Sequence, residues 1–210
     1  MTILVPRGAE AAAVRRAQPA ARIVELAAGS AAAGALPDSF AGDAIVLGLC
    51  GALRDLRAGD VAVYQSVGDG TQRVGLDAVL AAALTAHVPG AVLSDAYTAD
   101  HVVTSVHERG ELARRYAAGV VDMEGTALAA ALASRGVRFA MIRVVSDDAS
   151  RDLPALGAAI RPDGTLDAVR VALAFVRRPR AALAFVRDVQ RALRSLTAVA
   201  RSVPERFSDL

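Results

Sequence analysis

A chain of 210 residues, 54% hydrophobic and 22% charged, can bury one substantial core, which excludes a disordered segment. Its net charge of +2 excludes a general polyanion binder, so no nucleic-acid partner is expected. The lone Cys50 excludes an internal disulfide, and no uncharged stretch approaches the ~20 residues of a bilayer span.

Thr2 to Val5 predicts a strand, closed by Pro6 and Arg7-Gly8. This apolar run is too short for a signal peptide, and a proline and charges follow at once, so a soluble or peripheral protein is expected; the lone thiol suits a reducing cytoplasm. Glu10 to Ala17 predicts a helix and Arg22 to Leu26 a second strand. The loop Gly29-Ser30 and a short alanine-rich helix follow. Asp43 to Leu47 predicts a buried strand running into a glycine turn, Gly48-Leu49-Cys50-Gly51. Asp60 to Val67 is β-branched and ends at Gly68-Asp69-Gly70, and Leu76 to Ala86 predicts a helix. Ala91 to Asp95 and Gly119 to Asp122 predict strands. Glu124 to Ser134 predicts a helix stopped by Gly136, and Phe139 to Val145 an apolar strand interrupted only by Arg143.

Buried strands alternating with helices predict an α/β fold, with residues 1–210 as a single domain. The expected architecture is a three-layer α/β/α sandwich around a mixed, mostly parallel sheet. Ligands in such sheets sit at the carboxyl ends of strands. That rule points to Gly8–Glu10, Gly48–Gly51, Asp122–Glu124 and Ser146–Asp148. Residues 161–210 hold ten arginines against five acids, and Pro179 divides this tail into two helices. They pack to complete the domain with their arginines on the wet face, or present a basic amphipathic surface to an anionic membrane; both can hold.

In Val120-Val121-Asp122-Met123-Glu124-Gly125 a strand delivers two carboxylates around a thioether just before a helix. Strand alternation puts Asp122 and Glu124 on one side. The plainer alternative is that Asp122 caps the helix and Glu124 complements its dipole. In Ile142-Arg143-Val144-Val145-Ser146-Asp147-Asp148 an apolar strand ends in a hydroxyl and two acids. The alternative there is a turn cap with Arg143 in a structural ion pair. His101 and His107 lack partners at metal-ligand spacing, no zinc pattern exists, and Cys50 reads as a small buried hydrophobe.

Together these runs resemble the signature of nucleoside phosphorylases and of methylthioadenosine/adenosylhomocysteine nucleosidases. Gly48-Leu49-Cys50-Gly51-Ala52-Leu53 and Gly59-Asp60-Val61 resemble that family's glycine turn and following strand. Asp152-Leu153-Pro154, Arg161-Pro162-Asp163-Gly164-Thr165 and Arg177-Arg178-Pro179-Arg180 are similar to the hopanoid-associated phosphorylases, which remove adenine from adenosylhopane.

The resemblance implies cleavage of a purine nucleoside's N-glycosidic bond, with Asp147 as the general acid at purine N7, oriented by Ser146. Glu124 would hold the ribose hydroxyls, Met123 would pack on the sugar, and Glu10 would take a proton from water. Asp122, Leu49, Cys50 and Gly51 would complete the substrate site, with amides at Gly48–Gly51 offering an anion nest. Tyr97 would stack on the base, ordinary packing being its alternative. No cofactor or metal is implied, and inorganic phosphate is the candidate co-substrate. The phosphate-binding arginine of larger relatives is absent from Pro6-Arg7-Gly8-Ala9-Glu10, leaving Arg7 as a stand-in and hydrolysis open beside phosphorolysis. A homo-oligomer acting on a lipid-linked nucleoside at the inner membrane is the expectation. The alternatives are a soluble methylthioadenosine/adenosylhomocysteine- or futalosine-type nucleosidase, or a non-catalytic binder that kept the fold.

Overall fold

The computed structural model describes residues 1–27, 29–37, 40, 42–153 and 179–210. In β1 (Thr2–Pro6) every residue is buried, with Ile3 and Val5 in one core and Leu4 in another. The same alternation runs through β3 (Ala44–Ala52), β4 (Val61–Gly68) and β8 (Phe139–Asp147). Ile45, Leu47, Val63 and Ile142 enter the first core, and Val46, Tyr64, Met141 and Val145 the second. Strands apolar on both faces need cover on both. Helices α1 (Ala9–Ala17), α2 (Ala78–His87) and α5 (Pro179–Ser202) cover the first through Val14, Leu84, Leu196 and Val199. Helix α4 (Gly125–Ser134) and a 3-10 helix at Gly29–Ala35 cover the second through Leu128, Leu132 and Ala32. This is the expected α/β fold.

The sheet is mixed. Strands β2 (Arg22–Leu26), β1, β3 and β8 run parallel to one another, while β4 joins β8 antiparallel. Strand β6 (Ala91–Thr98) lies parallel to β4 and to β7 (Val120–Asp122), and β7 returns antiparallel to β3. The strands β3, β8, β4, β6 and β7 therefore close on themselves as a ring. An eighth strand, β5 (Arg73–Gly75), edges β4.

Three features depart from expectation. The run Gly48–Ala52 is strand, not turn. It stays paired with β8 across a bulge at Cys50/Gly51 and gains β7 on its other edge. Helix α3 (Val106–Tyr116), capped by Ser105 Oγ accepting from Glu108 N at 3.1 Å, fills a stretch with no expected element, and β5 is likewise new. Of the two tail helices, the second begins at Pro179; the first lies outside the described residues. No helix among the described residues is long and apolar enough to cross a membrane.

Candidate active site

Where β3 meets β7 and β8, strand ends open a cavity of about 200 Å³. Its wall includes Glu10, Leu49, Cys50, Gly51, Met123, Glu124, Ser146 and Asp147. The two acids expected from separate strand ends thus share one cavity, and Glu10 joins them from the first turn of α1. Gly8 makes that approach: its φ of +94°, which a side chain would strain, turns the chain from β1 into α1.

Glu10 and Glu124 stand beside a fully buried cation. Arg143 Nη1 lies 2.9 Å from Glu124 Oε1, and Nη2 lies 3.8 Å from Asp122 Oδ2. Among the described residues none of the Arg143 nitrogens has a well-aligned hydrogen-bond acceptor, so these are charge contacts. Burial opposes the charge on Arg143, but Glu124 and then Asp122 outweigh it and keep the guanidinium protonated. Burial pushes Glu124 up, with Arg143 opposing. Glu10 is raised to about 7, first by burial and then by Glu124, against the pull of Arg143. Its Oε1 accepts the Leu49 N–H at 2.7 Å. One amide of the expected anion nest is therefore already occupied by a carboxylate.

Arg143 also explains Gly48. A Cβ there would collide with the Arg143 guanidinium and come within 3.0 Å of Glu10 Oε1. Gly48→Ala is expected to cost about 1–3 kcal/mol in urea denaturation, because neither neighbour can retreat. An unchanged midpoint would show that the guanidinium has room.

Asp122 lies behind the cavity wall. It accepts from Tyr64 Oη at 3.2 Å, Thr98 Oγ1 at 2.8 Å and Gly125 N at 3.0 Å. It thus caps α4 while balancing Arg143. Glu124, the residue before α4, makes no capping bond and faces the cavity instead. Tyr97 also lies off the cavity: its ring stacks on Tyr116 at 4.3 Å between centroids. Cys50 is buried, which pushes its thiol up, as suits an inert wall residue. Arg7 is exposed and does not line the cavity.

Asp147 is held at both oxygens. Ser146 Oγ lies 2.5 Å from Oδ1 and 3.0 Å from Cys50 O, with one proton to give between them. Arg109 Nη2 donates to Oδ2 at 2.5 Å. Arg109 was not anticipated; nor were Pro6, Val102, Val103 and Leu153, which make much of the wall apolar. Arg109 sits in a charged helix, Val-His-Glu-Arg-Gly-Glu, that reads as solvent-facing, so no sequence signal marks it. No group of three or more His, Cys, Asp or Glu among the described residues could hold a metal.

A mixed α/β frame whose strand ends converge carboxylates on one cavity defines an enzyme of the nucleoside phosphorylase and nucleosidase type. The chain belongs to the phosphorylase superfamily, whose family model matches residues 24–177. No sequence match among curated proteins is significant. In fold it is similar to the futalosine hydrolase of Helicobacter pylori (TM-score 0.71, 14% identity, covering 99% of this chain and 96% of that one). It is also similar to that organism's 5'-methylthioadenosine/S-adenosylhomocysteine nucleosidase, solved in complex with a pyrrolopyrimidinyl-methyl pyrrolidinol (TM-score 0.70, 14% identity, 99% and 97% covered). The Neisseria meningitidis nucleosidase of the same name, solved with methylthio-immucillin-A, aligns with a TM-score of 0.64 at 16% identity, covering 96% of this chain and 99% of that one.

Proposed function

We propose that the chain hydrolyses the N-glycosidic bond of an adenine nucleoside. The observation that carries this is Glu10, a carboxylate raised to about 7 that accepts the Leu49 N–H beside Glu124. An attacking phosphate would need that amide and would meet two carboxylates, whereas water needs the base that Glu10 provides. Water oxygen bonds to ribose C1' as the C1'–N9 bond breaks, and that bond's electron pair leaves with the purine. Glu10 takes the water proton. Glu124 accepts from ribose hydroxyls, and its charge favours an oxocarbenium-like sugar. A proton taken up from solvent is held between N7 and the Asp147 carboxylate, which Ser146 orients, so that adenine departs neutral.

For the substrate we favour adenosylhopane. Support comes from the resemblance to hopanoid-associated phosphorylases and from the apolar wall of Pro6, Val102, Val103 and Leu153. The arginines at 187, 191, 194 and 201, exposed on α5, would meet anionic lipid, and a homo-oligomer is the expected state. The second reading, a methylthioadenosine or futalosine nucleosidase, draws on what the H. pylori relatives are named for.

The test is to incubate the protein with adenosylhopane and with 5'-methylthioadenosine, each with and without phosphate, and to measure adenine and the sugar product. Adenine release from adenosylhopane, independent of phosphate and giving free ribose termini, is expected. A requirement for phosphate, or a sugar phosphate product, would overturn hydrolysis. Adenine from methylthioadenosine alone would select the second reading, and none from either would reject nucleoside cleavage of this kind.

A further inference from the structure

Arg109 is 1% exposed and spends every N–H it has. Nε and Nη2 donate to Val103 O at 3.2 and 2.9 Å, and Nη1 donates to Ala52 O at 3.3 Å and Asp148 O at 2.8 Å. The fifth goes to Asp147 Oδ2. Of these acceptors only Asp147 carries a charge. A buried guanidinium with one carboxylate partner fixes that partner firmly, because separating them strands a charge in the interior. The carbonyl contacts tie the loop before α3, the end of β3 and the end of β8 to one planar group. Arg109 itself lines the cavity beside Asp147.

We propose that Arg109 is a positioning residue for leaving-group activation, a role that rests on the reading of Asp147 above. With Oδ2 turned to Arg109 and Oδ1 to Ser146, the carboxylate has one rotamer, and a remaining lone pair accepts from the proton on purine N7. Arg109 acts on the base through Asp147 and takes no part in attack at C1'. Its loss therefore harms only substrates whose leaving group must share a proton.

The test compares adenine release from the best adenine nucleoside of the assay above with nitrophenolate release from 4-nitrophenyl riboside, which departs unprotonated. Arg109→Met is expected to lose about 100-fold in kcat on the nucleoside, with KM little changed, and only a few-fold on the nitrophenyl riboside. Arg109→Lys should recover part of the loss. In an Asp147→Asn background, Arg109→Met should add less than about threefold, since residues acting as a unit are not additive. Should Arg109→Met fail to fold, Arg109→Lys carries the same two-substrate comparison. Equal losses on both substrates, additive losses, or full turnover by a folded Arg109→Met protein would overturn the role. A wild-type chain that releases no adenine would overturn the functional reading, and this role with it; an active wild type with an indifferent Arg109 overturns the role alone.

Discussion

Asp147→Asn is expected to lower turnover of an adenine nucleoside by about 10²–10⁴-fold, the range set by losing a positioned proton carrier. The asparagine matches the aspartate in shape and keeps an oxygen for Ser146, so the cavity wall is preserved. It cannot hold or pass the N7 proton. The substitution also leaves the Arg109 guanidinium without its carboxylate at 2.5 Å, in a place where Arg109 is 1% exposed. Removing one partner of a buried pair costs about 3–5 kcal/mol, so unfolding should shift to lower urea as well. The two effects separate cleanly. Rapid-quench measurement under conditions where circular dichroism shows a folded variant reports the chemistry, and urea titration reports the pair. Unchanged turnover would remove Asp147 from the reaction. Unchanged stability would mean that Arg109 finds another partner.

The fold was legible where burial is two-sided. Runs such as Ile45-Val46-Leu47 and Met141-Ile142 are apolar at every position because helices lie against both faces, and the sequence carries that directly. Gly48 to Gly51 departs from the expected turn for a reason visible in the packing. Glycines suggest a turn, yet here one makes room for Arg143, and Gly51 lies after the bulge with Asp147 Oδ2 3.0 Å from its Cβ position. Helix α3 was hidden because its buried side begins with the charged Arg109, and the Leu112, Ala113 and Tyr116 that follow at helical spacing are interleaved with charges. At Asp122-Met123-Glu124 the two local alternatives each held for one residue. Asp122 caps and Glu124 enters the cavity, and only the position of Arg143 between them decides which does which. Single-strand patterns report which face a residue takes, but not which buried cation waits across the sheet.

The pH dependence offers the other large effect. Glu10 is raised to about 7, so its base form is lost as pH falls below that value. kcat/KM should therefore fall about tenfold per pH unit on the acid side, with a midpoint near neutrality. Glu10→Gln keeps an acceptor for the Leu49 N–H but cannot take a proton. It should lose about 10²–10³-fold in turnover and abolish that limb. Stability moves the other way. A carboxyl raised on folding binds its proton more tightly in the native state, so its contribution is full below the unfolded value of 4.5 and disappears as pH rises through about 7. Above that pH wild type carries a penalty for a charge held against burial and against Glu124, which the glutamine lacks. The variant should thus melt higher than wild type at pH 8, by at most about 3 kcal/mol, with the gap closing by pH 4.5. Glu124→Gln probes the same origin, since removing the second cause of the shift should carry the wild-type midpoint downward. A flat wild-type profile down to pH 5, or a Glu10→Gln protein that keeps the limb, would take the base role from Glu10, and with it the reason to prefer water over phosphate.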